Sequence, residues 1–134
     1  MKKELHVGMS STLITIVTDE SIRKFSEISG DINPVHLDDA YAEKTIFKKR
    51  IAPGLQVASY ISAVLANQLP GYGTIYLEQN IRFLKPVYIG DKIETKITII
   101  EVLKSDKFRL KTEQFNDLGE KVIDGEAVVK YLGE

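Results

Sequence analysis

Between Pro53-Gly54 and Pro70-Gly71 the chain carries GLQVASYISAVLANQL, a stretch without a single Asp, Glu, Lys or Arg. Its apolar residues fall on nearly every side of a helical wheel, the pattern of a helix covered all round. Such a helix cannot lie open on a surface, so the rest of the chain has to supply its cover. The small residues Ala58, Ser59, Ser62, Ala63 and Ala66 allow a sheet to approach closely. Pro53 suits a helix entry and Pro70-Gly71 ends the run. Leu55 to Leu69 is too short for a membrane span and contains Gln56, Ser59, Ser62, Asn67 and Gln68.

The cover comes from the residues beyond Pro70-Gly71, which are strand-like throughout. Thr74 to Phe83 alternates, with Ile75, Leu77, Ile81 and Phe83 expected on one face and Glu78, Asn80 and Arg82 on the other. Gly90-Asp91 precedes a second alternating run containing Ile93, Ile97 and Ile99. Phe108–Phe115 and Val122–Tyr131 come next, separated by the turn signal NDLG. Upstream, Thr12–Val17 reads as a first strand. Thr18 or Asp19 then caps a helix with Ile22, Phe25 and Ile28 at helical spacing, ending near Gly30. Asp38 or Asp39 caps a short helix through Ala42. The reading is an α+β chain, residues 1–134 as one domain, with an antiparallel sheet wrapped around one helix.

Composition removes several classes of function. A net charge of −1 provides no global basic field for nucleic acid. The absence of cysteine excludes disulfides, thiolate nucleophiles and Cys-based zinc sites, and suits a reducing compartment. The N-terminal residues include no continuous apolar stretch of the signal-peptide kind, so a cytoplasmic protein with no membrane partner is expected.

Chemistry concentrates in SGDINPVHLD, residues 29–38, which holds one of only two histidines. On a continuous helix Asp31 and His36 would point about 140° apart. Pro34 rules that helix out by pushing Asn33 into an extended conformation. The segment is therefore expected to be a shaped loop, with Gly30 supplying backbone freedom just before Asp31. A loop can aim a carboxylate and an imidazole at one point, which makes a general acid–base pair. Spacing alone leaves a second reading open: an Asx-turn at Asp31 and Asn33, with His36 as a polar residue flanking a helix. His6, the other histidine, falls in a terminal segment and reads as a surface residue.

The wider pattern bears on that choice. FSEISGDINPVHLDDAYA closely resembles the signature of the MaoC-like, (R)-specific enoyl-CoA hydratases (the hydratase 2 family). IAPGLQVASYISAVLANQLPG resembles that family's central helix, FLKPVYIGDKIETKITI its strand pair and GEAVVK its last strand. The likeness covers nearly the whole chain and is greatest to the short single-domain members. It implies a hot-dog fold, a homodimer with sheets joined edge to edge, and reversible addition of water to a trans-2-enoyl-CoA to give an (R)-3-hydroxyacyl-CoA. It implies no cofactor, CoA being part of the acyl-CoA thioester substrate.

By the same resemblance the catalytic pair falls on Asp31 and His36, and the oxyanion donor on the Gly54 backbone N–H, where the helix dipole also favours negative charge. Helix-entry geometry is a second reason for Gly54. Ser62 matches a family position near the pair, where it serves either as a hydrogen-bonding residue or as a small residue for packing. Leu65 and Val128 are candidates to line an acyl pocket, with core packing as the alternative. KTIFKKR, residues 44–50, either meets the phosphates of CoA or forms a solvated face. Many members carry His just before the helix-entry Gly, and here Pro53 stands instead. Two other functions compete: a non-catalytic acyl-CoA binding domain, and a thioesterase. The second is disfavoured because Gly54–Leu69 lacks the acidic residue such enzymes place on this helix.

Overall fold

The computed structural model describes residues 2–134. Strand β1 (Ser10–Ile16) is followed by helices α1 (Asp19–Ser29), α2 (Pro34–Leu37), α3 (Asp39–Glu43) and α4 (Gly54–Asn67). Strands β2 (Thr74–Phe83), β3 (Lys92–Val102), β4 (Lys107–Phe115) and β5 (Lys121–Tyr131) complete the chain. They form one five-stranded antiparallel sheet in the order β1-β3-β4-β5-β2. Among the described residues no helix is long and apolar enough to cross a membrane.

The sheet curls around α4 through one face of each strand. Ile93, Thr95, Ile97 and Ile99 of β3 are fully buried, as are Leu110, Thr112 and Gln114 of β4 and Ala127 and Val129 of β5. From α4, Ile61, Val64 and Leu65 enter the same cluster, while Val57 and Ala58 pack with Val17, Ile22, Ile93 and Ile123 nearer the helix start. Each large aliphatic side chain so covered contributes about 1.5–3 kcal/mol. One polar bracket crosses this interface. Gln114 Nε2 donates to the Val57 carbonyl at 2.7 Å and to Thr95 Oγ1 at 2.9 Å, which pins the first turn of α4 to the sheet.

Three expectations change. First, α4 is not covered all round in a single chain: Leu55, Ser59, Ser62 and Ala66 form an exposed stripe. The sheet covers the opposite side, so of the small residues only Ala58 is buried and Ala63 partly buried. Second, Ile28 is 86% exposed although it keeps helical spacing with Ile22. It lies in the last turn of α1, which Gly30 ends with a left-handed φ of +80° and an N–H bonded to Ser26 O. Third, β2 carries a bulge between Tyr76 and Glu78, which inverts its alternation. Tyr76, Gln79, Ile81 and Phe83 oppose Val129, Ala127, Gly125 and Ile123, the helix-facing residues of β5. Ile75 opposes Lys130 and so shares the outer face with Glu78, Asn80 and Arg82. Periodicity alone does not reveal an inserted residue.

Ile97 tests the packing account because it is fully buried between the sheet and α4. Ile97→Ala is expected to lower unfolding free energy by about 2–5 kcal/mol. Urea titration should register this as a lower midpoint with an unchanged slope.

Candidate active site

Residues 26–36 are shaped by a chain of local bonds. Ser26 Oγ donates to the Asp31 carbonyl at 2.5 Å, and the Asp31 N–H donates to Ser29 Oγ at 3.0 Å. The Asn33 N–H donates to Asp31 Oδ1 at 3.1 Å, forming an Asx-turn. Asn33 Oδ1 then accepts from the Val35 N–H at 3.2 Å and caps α2, a single turn with Pro34 in its first position. Pro34 thus bars a continuous helix from Asp31 while starting a new one, so His36 stands on a helical turn rather than in the expected loop. The Asx-turn and the carboxylate–imidazole juxtaposition are both present, since Asp31 uses Oδ1 for the turn and keeps Oδ2 free of it.

His36 Nε2 lies 3.9 Å from Asp31 Oδ2, the imidazole nearly buried and the carboxylate 42% exposed. On its other side His36 Nδ1 is 2.7 Å from the Ile51 carbonyl. A carbonyl oxygen only accepts, so Nδ1 carries the proton and Nε2 of the neutral ring has its lone pair toward Asp31. Two acceptors at this separation are too far apart for a direct hydrogen bond and suitably spaced to share one water.

Both side chains open into a cavity of about 710 Å³. Phe25, Phe47, Leu55, Phe83 and Ile123 supply much of its apolar wall, and Pro53 and Gly54 bring the start of α4 into it. The size falls within the usual range for a small-molecule site. Gly54 is the first helical residue, so its N–H has no carbonyl one turn back to bond. A Cβ built on Gly54 would lie 2.6 Å from Cε1 of Phe83, so the ring packs directly on bare backbone there.

Of the residues singled out in the sequence, Asp31, His36 and Gly54 therefore meet in one cavity. Ser62, Leu65 and Val128 do not line it. Ser62 lies on the exposed stripe of α4, and Leu65 is buried in the core beneath that helix. Val128 is buried on the sheet face away from α4, because strand alternation sets it opposite its neighbours Ala127 and Val129. His6 is exposed, as expected.

With this geometry in view, the comparison with known families is decisive. The model described as "MaoC like domain" matches residues 7–121. The chain belongs to the MaoC-like family. Among MaoC-like relatives, the 3-hydroxybutyryl-CoA dehydratase of Methylorubrum extorquens is 40% identical over 129 residues, covering 96% of this chain and 82% of that one. The (R)-specific enoyl-CoA hydratase of Aeromonas caviae is 38% identical over 130 residues, 96% of each chain. The solved unliganded R-hydratase PhaJ1 of Pseudomonas aeruginosa superposes with a TM-score of 0.94 at 43% identity, over 98% of this chain and 84% of that one. The α+β fold of this MaoC-like chain is the hot-dog fold that the family resemblance implied.

Two residues near the site escaped sequence reasoning. Arg50 closes the run KTIFKKR, yet it is 5% exposed while Lys44, Lys48 and Lys49 are exposed. Its Nε donates to the His36 carbonyl at 2.8 Å and its Nη2 to Asp19 Oδ1 at 2.6 Å. The Arg50 hydrogen bond, followed by that from Arg23, holds the Asp19 carboxyl below its ordinary pKa. A usable signal was the change from Lys to Arg immediately before the apolar pair Ile51-Ala52. Phe83 was read only as an apolar strand residue, and its contact with Gly54 depends on how β2 passes the start of α4.

That contact is measurable by a double-mutant cycle. Gly54→Ala should destabilise the wild type, because the methyl displaces the ring, and should be neutral or slightly stabilising in a Phe83→Ala background. Urea titrations of the four proteins are expected to give a coupling of at least about 0.5 kcal/mol.

Proposed function

We propose that this MaoC-like chain is an (R)-specific hydratase that adds water reversibly to a trans-2-enoyl-CoA and forms an (R)-3-hydroxyacyl-CoA. The observation that carries the reading is the separation of His36 Nε2 and Asp31 Oδ2, 3.9 Å apart at the wall of an apolar cavity. A water between them donates one hydrogen to each and presents an oxygen lone pair to C3 of the enoyl group. As the C3–O bond forms, one water proton passes to the pair and the electron pair of the double bond moves toward the thioester oxygen. The pair then returns a proton to C2, so hydroxyl and hydrogen have both been added and the enzyme is regenerated.

The developing charge on the thioester oxygen needs a donor already in place. The Gly54 N–H, left without an intrahelical partner at the start of α4, fills that role, while the Phe83 ring occupies the space of the absent Cβ. The α4 dipole adds to the attraction. Pro53 has no N–H and contributes entry geometry alone. Apolar walls receive the acyl chain, and the reaction takes no cofactor because CoA arrives with the substrate. The relatives named as (R)-specific enoyl-CoA hydratases and a 3-hydroxybutyryl-CoA dehydratase lend support to this assignment.

The working form is proposed to be a homodimer. Among the described residues, strand β2 lies at a sheet edge and has no strand paired along its outer side over its ten residues. Ile75, Tyr76, Leu77, Phe83 and Leu84 are exposed along or just beyond it, and Leu55 on α4 is also exposed. Ser62, on the open stripe of α4, is available to such a contact.

Hydration of crotonyl-CoA, followed as loss of the enoyl-thioester absorbance with free thiol measured in parallel, tests the reaction. Asp31→Asn and His36→Gln should each lower kcat by about 10²- to 10⁴-fold with the fold intact by circular dichroism. Thiol release without hydration would point to a thioesterase, and binding without turnover to a carrier; either overturns the assignment. For the assembly, sedimentation velocity should give a dimer in the wild type and a smaller species for Leu77→Lys. An active wild-type monomer at assay concentration would refute the dimer.

A further inference from the structure

Helix α2 holds His36 in a single turn, Pro34–Leu37, with little internal support. A lone turn fixes several backbone dihedrals for very few hydrogen bonds and is not self-sustaining. Its geometry must come from outside, and the segment Arg50–Ile51 provides it. The Ile51 N–H donates to the Val35 carbonyl at 3.3 Å, and the Ile51 carbonyl accepts from His36 Nδ1 at 2.7 Å. Arg50 Nε donates to the His36 carbonyl at 2.8 Å. The imidazole and the backbone of one residue are therefore gripped from the same two-residue segment.

The grip has a base. Arg50 Nη2 bonds Asp19 Oδ1 at 2.6 Å, and Asp19, the first residue of α1, also receives Arg23 Nε at 3.0 Å. The fold buries a guanidinium here, although an apolar side chain in such a place is often as stabilising or more so. A Lys can replace it only in part, since one ammonium lacks the rigid fork that addresses a carbonyl and a carboxylate in different directions. Arg50 is not among the residues lining the cavity, so a direct role toward substrate is not part of its geometry.

We infer that Arg50, tethered by Asp19, is a positioning residue that holds the His36 backbone against the Arg50–Ile51 segment and so keeps the His36 ring on the Ile51 carbonyl, which fixes its orientation and Nδ1–H tautomer. The inference deepens the hydratase reading and rests on it for its kinetic consequence, whereas the state of the His36 ring can be read without any turnover. A displacement near 1 Å can cost about 10²-fold in rate, so loss of the clamp should act on kcat.

The experiment compares wild type, Arg50→Gln, Arg50→Lys and Asp19→Asn, each labelled with ¹⁵N-histidine. Only His6 and His36 contribute ring signals, and His6 is exposed. At a pH where the ring is neutral, wild-type His36 should give the Nδ1–H pattern. Arg50→Gln should give a tautomer mixture and lower kcat on crotonyl-CoA by about 10- to 100-fold with KM nearly unchanged. Arg50→Lys should recover only part of the loss, and Asp19→Asn should show a smaller version of both effects. If Arg50→Gln does not fold, the last two variants carry the same comparison. Folded variants with the wild-type His36 pattern and kcat, differing only in melting temperature, would overturn the inference. A wild type with no hydration activity would remove the hydratase reading, while the ring spectra would still decide the clamp.

Discussion

Packing of α4 against the concave face of the sheet is the interaction on which the rest of the molecule depends. Val57, Ile61, Val64 and Leu65 have no other place to be buried, and the facing strands present Ile93, Ile97, Ile99, Leu110, Ala127 and Val129 in the matching positions. Apolar burial is non-directional, so it brings helix and sheet together without setting the height of one on the other. Gln114 supplies direction. Its bonds to the Val57 carbonyl and to Thr95 place the first turn of α4 at a defined height on β3 and β4.

The candidate chemistry depends on that height. The start of α4 brings Gly54 to the cavity that Asp31 and His36 face. Those two come from a different part of the chain, held between the end of α1 and the Arg50–Ile51 segment. Asp31 is oriented by short-range bonds to Ser26, Ser29 and Asn33, all within five residues. His36 is oriented by residues 14 and 15 positions away. One half of the pair is therefore built locally and the other by tertiary contact.

The same distinction explains β2. Its residues are strand-like by composition, and its helix-facing set is decided by the bulge between Tyr76 and Glu78. Across the bulge the Tyr76 hydroxyl donates to Gln79 Oε1, while Gln79 Nε2 reaches Thr112 over Gly125. A Cβ on Gly125 would lie 2.0 Å from the Asn80 carbonyl, so the adjoining backbone already fills the space a side chain would need. Edge position and bulge together leave apolar residues of β2 uncovered within one chain.

Local physics was legible in the amino-acid order. Capping by Thr18, termination at Gly30 and Pro70-Gly71, the alternating runs of β3 to β5 and the uncharged apolar α4 all rest on neighbouring residues, as does the Asx-turn at Asp31. The pairing of Asp31 with His36 was legible once the family pattern was set beside the turn chemistry, although tertiary contact is what holds His36 in place. What the order of residues could not decide was anything requiring two distant segments to meet. The burial of Arg50 against His36 and Asp19, the Phe83 ring on Gly54, the open stripe of α4 and the placement of Leu65 and Val128 away from the cavity are of this kind. A charge run reads as solvated and an apolar residue reads as core by default; only the folded sheet decides which side of each element is covered, and therefore which of those residues reach the site.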